Sequence, residues 1–143
     1  MFKLVKILGK GNNVPEIITI NAPIGCHVKK NAVYFITGDN ISSLRESDVL
    51  VKFIPIEDLP EEHERKKVRG YIVTQDMIFE APTQGDFSEK YVGDGFSFHE
   101  DSNNDLVAIM PDNGGDGTII STDDYAKTGK VLVSFTTHER GSF

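Results

Sequence analysis

Short runs of apolar residues, separated by polar turn residues, recur along the whole chain. Within most runs apolar and polar side chains alternate, and a period of two places alternate side chains on the same face of a β-strand. In the last run, Val131, Val133 and Phe135 share one face. The pattern therefore predicts short strands rather than helices, at residues 2–8, 17–20, 32–37, 49–54, 69–74, 77–80, 96–98, 106–110, 118–121 and 130–136.

The strands and the turns between them predict the architecture. Short strands joined by turns are typical of an all-β domain, built as a single compact antiparallel β-barrel or sandwich. Pro15 lacks the N–H that a central strand donates, so the run that follows it is predicted to be an edge strand or an extended arm. We therefore expect one domain, in which residues 1–30 form an N-terminal strand and extended arm and residues 31–143 form the core. The stretches 42–48 and 57–67 are expected to form a helical turn and a charged loop or short helix, respectively.

Composition supports this fold class. Among 143 residues, Ile and Val number 26, whereas Leu and Ala number 12. β-Branched side chains lose rotamer freedom in helices and pack well on pleated sheets. Gly, Asn and Asp together number 33 and supply the turn residues that many short strands need. This balance excludes all-α, coiled-coil and collagen-like folds and disfavours a doubly wound α/β fold.

Net charge bears on the partners that the chain binds. It is −7 at pH 7, from 15 Lys and Arg against 22 Asp and Glu. Binding to a nucleic acid duplex requires clustered basic residues that displace counterions. The basic cluster at 65–69 directly follows acidic residues at 61–64, which is typical of a solvated surface segment. We expect neither nucleic acid nor membrane as a partner. We also expect a soluble protein made in a cytoplasm, because no apolar run has the length of a signal peptide or membrane helix.

Side chains suited to catalysis are few in the sequence. Cys26 is the single cysteine, which excludes an internal disulfide, and it is followed directly by His27. Neighbouring residues on a strand point to opposite faces, so this pair predicts a buried thiol and an exposed imidazole rather than a catalytic dyad. Glu80 ends an apolar strand and is expected to cap the strand or to pair with a Lys. No serine lies in a Gly-x-Ser-x-Gly elbow, and we expect no enzymatic activity.

Two glycine-containing loops share only part of a known binding motif. Residues 9–11 follow a predicted strand but lack the Lys-Ser/Thr of a phosphate-binding loop. A later loop places Asp112, Asp116 and Asp123 at the first, fifth and twelfth positions of an EF-hand calcium loop. Its third position is Gly114, which has no side-chain oxygen. We interpret both loops as turns, and expect no cofactor and no metal site.

Several short motifs follow one another in a distinctive order along the chain. Residues 73–80, Val-Thr-Gln-Asp-Met-Ile-Phe-Glu, follow a charged segment, a Val-Gly-Asp turn comes at 92–94, and Val-Leu-Val-Ser-Phe lies at 131–135. Further motifs of the same ordered set lie in the first part of the chain, at residues 3–5, 13–16, 32–34 and 38. Together they resemble the small capsid-associated proteins, for head decoration or cementing, that tailed bacteriophages of Gram-positive hosts encode beside the major capsid gene.

The resemblance implies a structural role on the capsid exterior, after assembly in the host cytoplasm, and no catalytic residues. The implied partner is the major capsid protein, and analogy with other decoration proteins adds a trimer or another homo-oligomer on the shell. An extended segment can add a strand to a sheet edge through its main chain. The predicted capsid contact is therefore Val14, Pro15, Glu16, Ile17, Ile18 and Ile20.

Two other functions remain open at this point. The first is a tail or baseplate structural module of the virion. The second is a small β-barrel that binds a ligand such as a carbohydrate. The chain has no Trp and four Tyr, and sugar-binding surfaces usually rely on such aromatic side chains, so the second alternative is less favoured.

Overall fold

The structure, a computed structural model, describes residues 1–9, 11–42, 51–60, 67–87 and 91–137. Most of the predicted helical turn at 42–48 and of the charged segment at 57–67 lies outside the described residues. No helix in the described ranges is long and apolar enough to cross a bilayer. The elements are β1 (Lys3–Ile7), β2 (Ile18–Asn21), β3 (Tyr34–Thr37), β4 (Asn40–Ser42), β5 (Lys52–Pro55), β6 (Lys67–Ile72), β7 (Met77–Pro82), β8 (Gly95–Glu100), β9 (Leu106–Met110), β10 (Gly117–Ser121), α1 (Tyr125–Thr128) and β11 (Lys130–Phe135).

Six strands form one antiparallel sheet with the spatial order β1-β7-β11-β10-β8-β9. Its third strand, β11, buries Val131, Val133 and Phe135 on one face, as the alternation in its sequence predicts. The Phe135 ring stacks on Phe79 of β7 at a centroid distance of 4.7 Å and meets Phe96 of β8 edge-on at 6.0 Å. An aromatic cluster therefore forms the core of the sheet.

The other five strands close into a small barrel with the order β2-β4-β3-β5-β6. Its neighbouring strands are antiparallel except β2 and β4, which meet in parallel where Asn21 opposes Asn40. Tyr34, Ile41 and Phe53 are buried in an apolar cluster that is separate from the sheet core. The sheet core also contains buried side chains from β3, β5 and β6 of the barrel, so the two β units share one core and the barrel has a second, smaller one.

The barrel is inserted between two strands of the sheet that pair with each other. The chain passes from the sheet to the barrel after β1 and returns after β6. β1 pairs antiparallel with β7, and Ile7 opposes Met77 at the end of this pair. The two connections leave the sheet side by side as a result. We call residues 8–17 the first crossover and residues 73–76 the second crossover.

The prediction of an all-β fold is confirmed, and one part of it needs correction. β2 was predicted as an edge strand or as part of an arm, but it pairs with β6 at four positions and with β4 at one. Pro15 does not prevent this pairing, because β2 begins only at Ile18 and needs no N–H from Pro15. The extended segment is confined to residues 13–17. The predicted division at residue 30 falls inside the barrel unit, between β2 and β3.

Gly70 of β6 lies where the barrel wall leaves no room for a side chain. A Cβ atom there would lie 2.3 Å from the carbonyl oxygen of Ile54 and 2.5 Å from Cζ of Phe53. Because a backbone oxygen cannot rotate away, we expect Gly70→Ala to lower the free energy of unfolding by about 3 kcal/mol, the upper end of overpacking effects. Urea unfolding measures this change. Gly11→Ala is the control, because no atom lies within 4 Å of its added Cβ; equal losses in both variants would contradict the prediction.

Candidate functional site

A groove lies at the seam between the sheet and the barrel, where the two crossovers meet. The backbone N–H of Leu8 donates to the carbonyl oxygen of Asp76 at 2.8 Å and joins the crossovers. The groove has a volume of about 490 Å³, within the range of roughly 300–1,000 Å³ that is usual for binding pockets. We call it the crossover groove; its lining residues are Ile7, Pro15, Glu16, Ile18, Ile72, Thr74, Asp76 and Met77.

The apolar part of the crossover groove comes from both β units. Ile7 and Met77 belong to the core of the sheet. Ile18 and Ile72 are half-buried and pack against the core of the barrel. Because each unit contributes aliphatic side chains, the groove exists only where the two cores meet.

Asparagine side chains hold the first crossover in place. Oδ1 of Asn13 accepts the backbone N–H of Ile7 at 3.1 Å, and Oδ1 of Asn12 accepts that of Val14 at 3.0 Å. Short polar side chains often satisfy backbone donors in this way where a chain leaves regular structure. These bonds fix the start of the extended segment beside the end of β1.

The structure brings together part of the predicted capsid contact. Val14 and Ile17 are exposed, at 65% and 43% respectively, which is high for large apolar side chains. Ile20 is half-buried against the barrel core. The remaining predicted residues line the crossover groove: Pro15, Glu16 and Ile18. Their role in binding a capsid stays a prediction.

Each crossover contributes one carboxylate to the groove, Glu16 from the first and Asp76 from the second. The Thr74 hydroxyl donates to Oδ1 of Asp76. Within the described ranges, neither carboxylate forms an ion pair. The groove therefore places two acidic side chains beside an aliphatic surface.

A second polar cluster attaches the barrel to the sheet. Asp105, in the loop before β9, is only 1% exposed. The Tyr34 hydroxyl donates to its Oδ1 at 2.7 Å, and Nε2 of His27 lies 2.9 Å from its Oδ2. Next to this cluster, Val33 and Leu106 form an antiparallel bridge. Since Tyr34 belongs to the barrel and Leu106 to the sheet, the cluster joins the two units.

The Cys26 thiol adjoins this cluster, and its surroundings suppress its reactivity. Burial, followed by the negative charge of Asp105, raises the pKa of the thiol. A raised pKa disfavours the thiolate, which is the nucleophilic form. The expectation of a buried thiol and an exposed imidazole is corrected, because Cys26 and His27 are both half-buried. His27 is placed to donate to Asp105, not to activate the thiol.

The other candidates from the sequence have structural partners. Oδ1 of Asp112 accepts the backbone N–H of Gly114 at 2.9 Å, and the buried Asp116 accepts that of Phe98 at 3.0 Å. The described ranges contain no group of three or more potential metal ligands. Glu80 pairs with Lys130 at 3.7 Å, as one of its two expected roles predicts. Lys10, in the glycine loop after β1, lies outside the described residues.

No family model, curated protein or solved structure matches this chain. The geometry of the crossovers and the order of the sequence motifs are therefore the basis for proposing a function. Sequence reasoning missed five of the residues that line the groove. These five residues are Ile7, Ile72, Thr74, Asp76 and Met77. In the sequence they look like ordinary residues of strand ends and turns, and only the pairing of β1 with β7 assembles them into one site.

The Tyr34 hydroxyl forms two hydrogen bonds in the polar cluster around Asp105. Besides donating to Asp105, it accepts the backbone N–H of Lys29 at 2.8 Å. We expect Tyr34→Phe to lower the free energy of unfolding by about 1–3 kcal/mol, because a buried acceptor and a donor each lose a partner. Urea unfolding measures the loss. The control is Tyr125→Phe, which removes a surface hydrogen bond to Gly85. If Tyr34→Phe lowers the free energy of unfolding no more than this control does, the cluster does not help to attach the barrel to the sheet.

Alkaline pH is expected to destabilise the protein. Burial is the largest cause that raises the pKa of Cys26, Tyr34 and Tyr71. In the unfolded chain these groups lose protons near their ordinary values, about 8.5 for Cys and 10 for Tyr, while the native state keeps its protons to higher pH. The unfolded state then binds fewer protons, so the free energy of unfolding falls above about pH 8.5.

Urea unfolding between about pH 7.5 and 10.5 tests this prediction. Tyr71→Phe removes one of the three groups and is expected to flatten the fall above about pH 10. A stability that stays constant or rises over this interval would contradict the assignment.

Proposed function

We propose that this protein is a virion structural protein of a tailed bacteriophage, a head decoration or cement protein that binds the exterior of the shell of major capsid protein. The ordered motifs in its sequence support this role, and the compact all-β fold is compatible with it. The observation that carries the proposal is the exposed apolar segment of the first crossover.

This segment has the properties of a protein-binding surface. Val14 and Ile17 present aliphatic side chains to solvent. In the described part of the chain, residues 15–17 take part in no backbone–backbone hydrogen bond. An extended segment with unpaired main-chain groups and apolar side chains is suited to add to a partner's sheet edge, where the main chain supplies affinity and the side chains supply specificity.

The charge of the protein agrees with a protein partner on the outside of a capsid. At −7, the chain is repelled by the phosphate backbone of DNA, which an exterior protein need not contact. A shell displays many copies of one subunit, so modest contacts gain strength when several copies bind together. The groove is less suited to a sugar, because its described lining contains no aromatic ring.

We expect the double variant Val14→Glu with Ile17→Glu to bind capsids at least tenfold more weakly, a loss of about 1.4 kcal/mol or more. Charged side chains at an apolar contact lose hydration without a partner. Co-sedimentation with capsids assembled from the phage's major capsid protein measures the change. Substitution is preferable to deletion of residues 9–20, which would remove β2 from the barrel.

The matched control is Val92→Glu with Ile120→Glu. These two residues are 47% and 42% exposed and lie outside the first crossover, so the control adds the same charge to similarly exposed sites. Circular dichroism shows whether each variant folds. Equal capsid binding by both double variants would contradict the assigned contact, and failure of the unsubstituted protein to co-sediment would contradict the decoration role.

A further inference from the structure

We infer that the crossover groove binds an extended segment of the shell protein that carries an aliphatic side chain and, two residues along, a Lys or Arg. This inference rests on the proposed function and names the chemistry of the partner at that contact. Three properties of the groove support it: an aliphatic floor, two carboxylates and an unpaired main-chain segment along one wall.

The floor selects an aliphatic side chain. Ile18 and Ile72 are half-buried and face the groove, with Ile7 and Met77 beneath the surface of the sheet unit. Burying an aliphatic side chain against such a surface contributes about 25 cal/mol for each Å² removed from water. The volume of about 490 Å³ is already present in the free protein, so binding requires no opening of either core.

The two carboxylates of the groove select a basic side chain in the partner segment. Glu16 is exposed and Asp76 is half-buried, and they approach the groove from different crossovers. The two carboxylates attract a Lys or Arg from the partner and repel an acidic segment. Such pairing contributes modest affinity and strong discrimination between partners. The aliphatic and acidic groups together therefore specify an aliphatic and a basic side chain at alternate positions of the partner segment.

The wall of the groove favours an extended polypeptide over a compact ligand. Residues 15–17 have no backbone–backbone hydrogen bond in the described structure, and Pro15 and Glu16 line the groove. An extended partner satisfies these main-chain groups while its alternate side chains point into the groove. A small apolar molecule fills the volume but leaves the main-chain groups to water.

Nuclear magnetic resonance with short peptides tests the groove without capsids. The probes are acetylated, amidated pentapeptides Thr-Ile-Thr-Lys-Thr, Thr-Ile-Thr-Gln-Thr and Thr-Ile-Thr-Glu-Thr, in which the aliphatic and the varied side chain share one face of an extended strand; each is added to the ¹⁵N-labelled full chain. We expect the lysine peptide to shift the amides of Ile7, Ile18, Ile72 and Met77, the glutamine peptide to bind more weakly and the glutamate peptide to produce no shift. Absence of shifts at these amides, or equal shifts with the lysine and glutamate peptides, would overturn the inference.

A pair of charge-removing variants tests the carboxylates. We expect Glu16→Gln with Asp76→Asn to raise the dissociation constant of the lysine peptide at least about threefold, within the usual range for two exposed ion pairs. The matched control is Glu100→Gln with Asp123→Asn, at exposed positions that do not line the groove. Equal affinity in the two double variants would overturn the inference. The amide spectrum of each variant shows whether that variant is folded.

The two proposals fail in different ways. If the lysine peptide binds the groove but the protein does not co-sediment with capsids, the proposed function fails and the groove keeps its assigned chemistry. If capsid binding depends on Val14 and Ile17 but the peptides produce no shift at the groove, the inference fails and the decoration role stands.

Discussion

The antiparallel pairing of β1 with β7 is the constraint on which the arrangement of this protein depends. These strands are separated in sequence by the whole barrel, so their pairing closes a long loop at a cost in chain entropy. Burial of the aromatic core that β7 and β11 share offsets this cost. The pairing brings both crossovers to one edge of the sheet, and the groove lies between them because they meet there.

Asp105 supplies a second attachment between the two units. A buried carboxylate is costly unless donors satisfy it, and here Tyr34 and His27 fill that role. Removing one hydrogen-bonding partner from such a buried group typically costs about 1–3 kcal/mol, which opposes any separation of barrel and sheet at this point. Because the shared core and these two attachments hold the units together, the walls of the crossover groove are fixed before a partner arrives, which reduces the entropy lost on binding.

The fold class was readable from the sequence, but the site was not. Alternation of apolar and polar residues located strands such as Leu106–Met110 to the residue, because burial on one face imposes a period of two. The extended segment was also anticipated, since Pro15 disfavours a central strand. Asp76 looked like an ordinary turn residue, because only the long-range pairing of β1 with β7 places it in the same groove as Glu16. Asp105 was hidden for the same reason, since its partner Tyr34 is distant in sequence.

We propose that this protein binds the outside of a phage head through its first crossover and the adjoining groove. Electron cryo-microscopy of the intact particle tests this claim most directly. The account predicts density for the sheet and the barrel on the outer surface of the head, with residues 14–18 facing the shell and a basic side chain of the capsid protein near Glu16 and Asp76. Density for the protein in the tail, or on the head with residues 14–18 facing solvent, would contradict it.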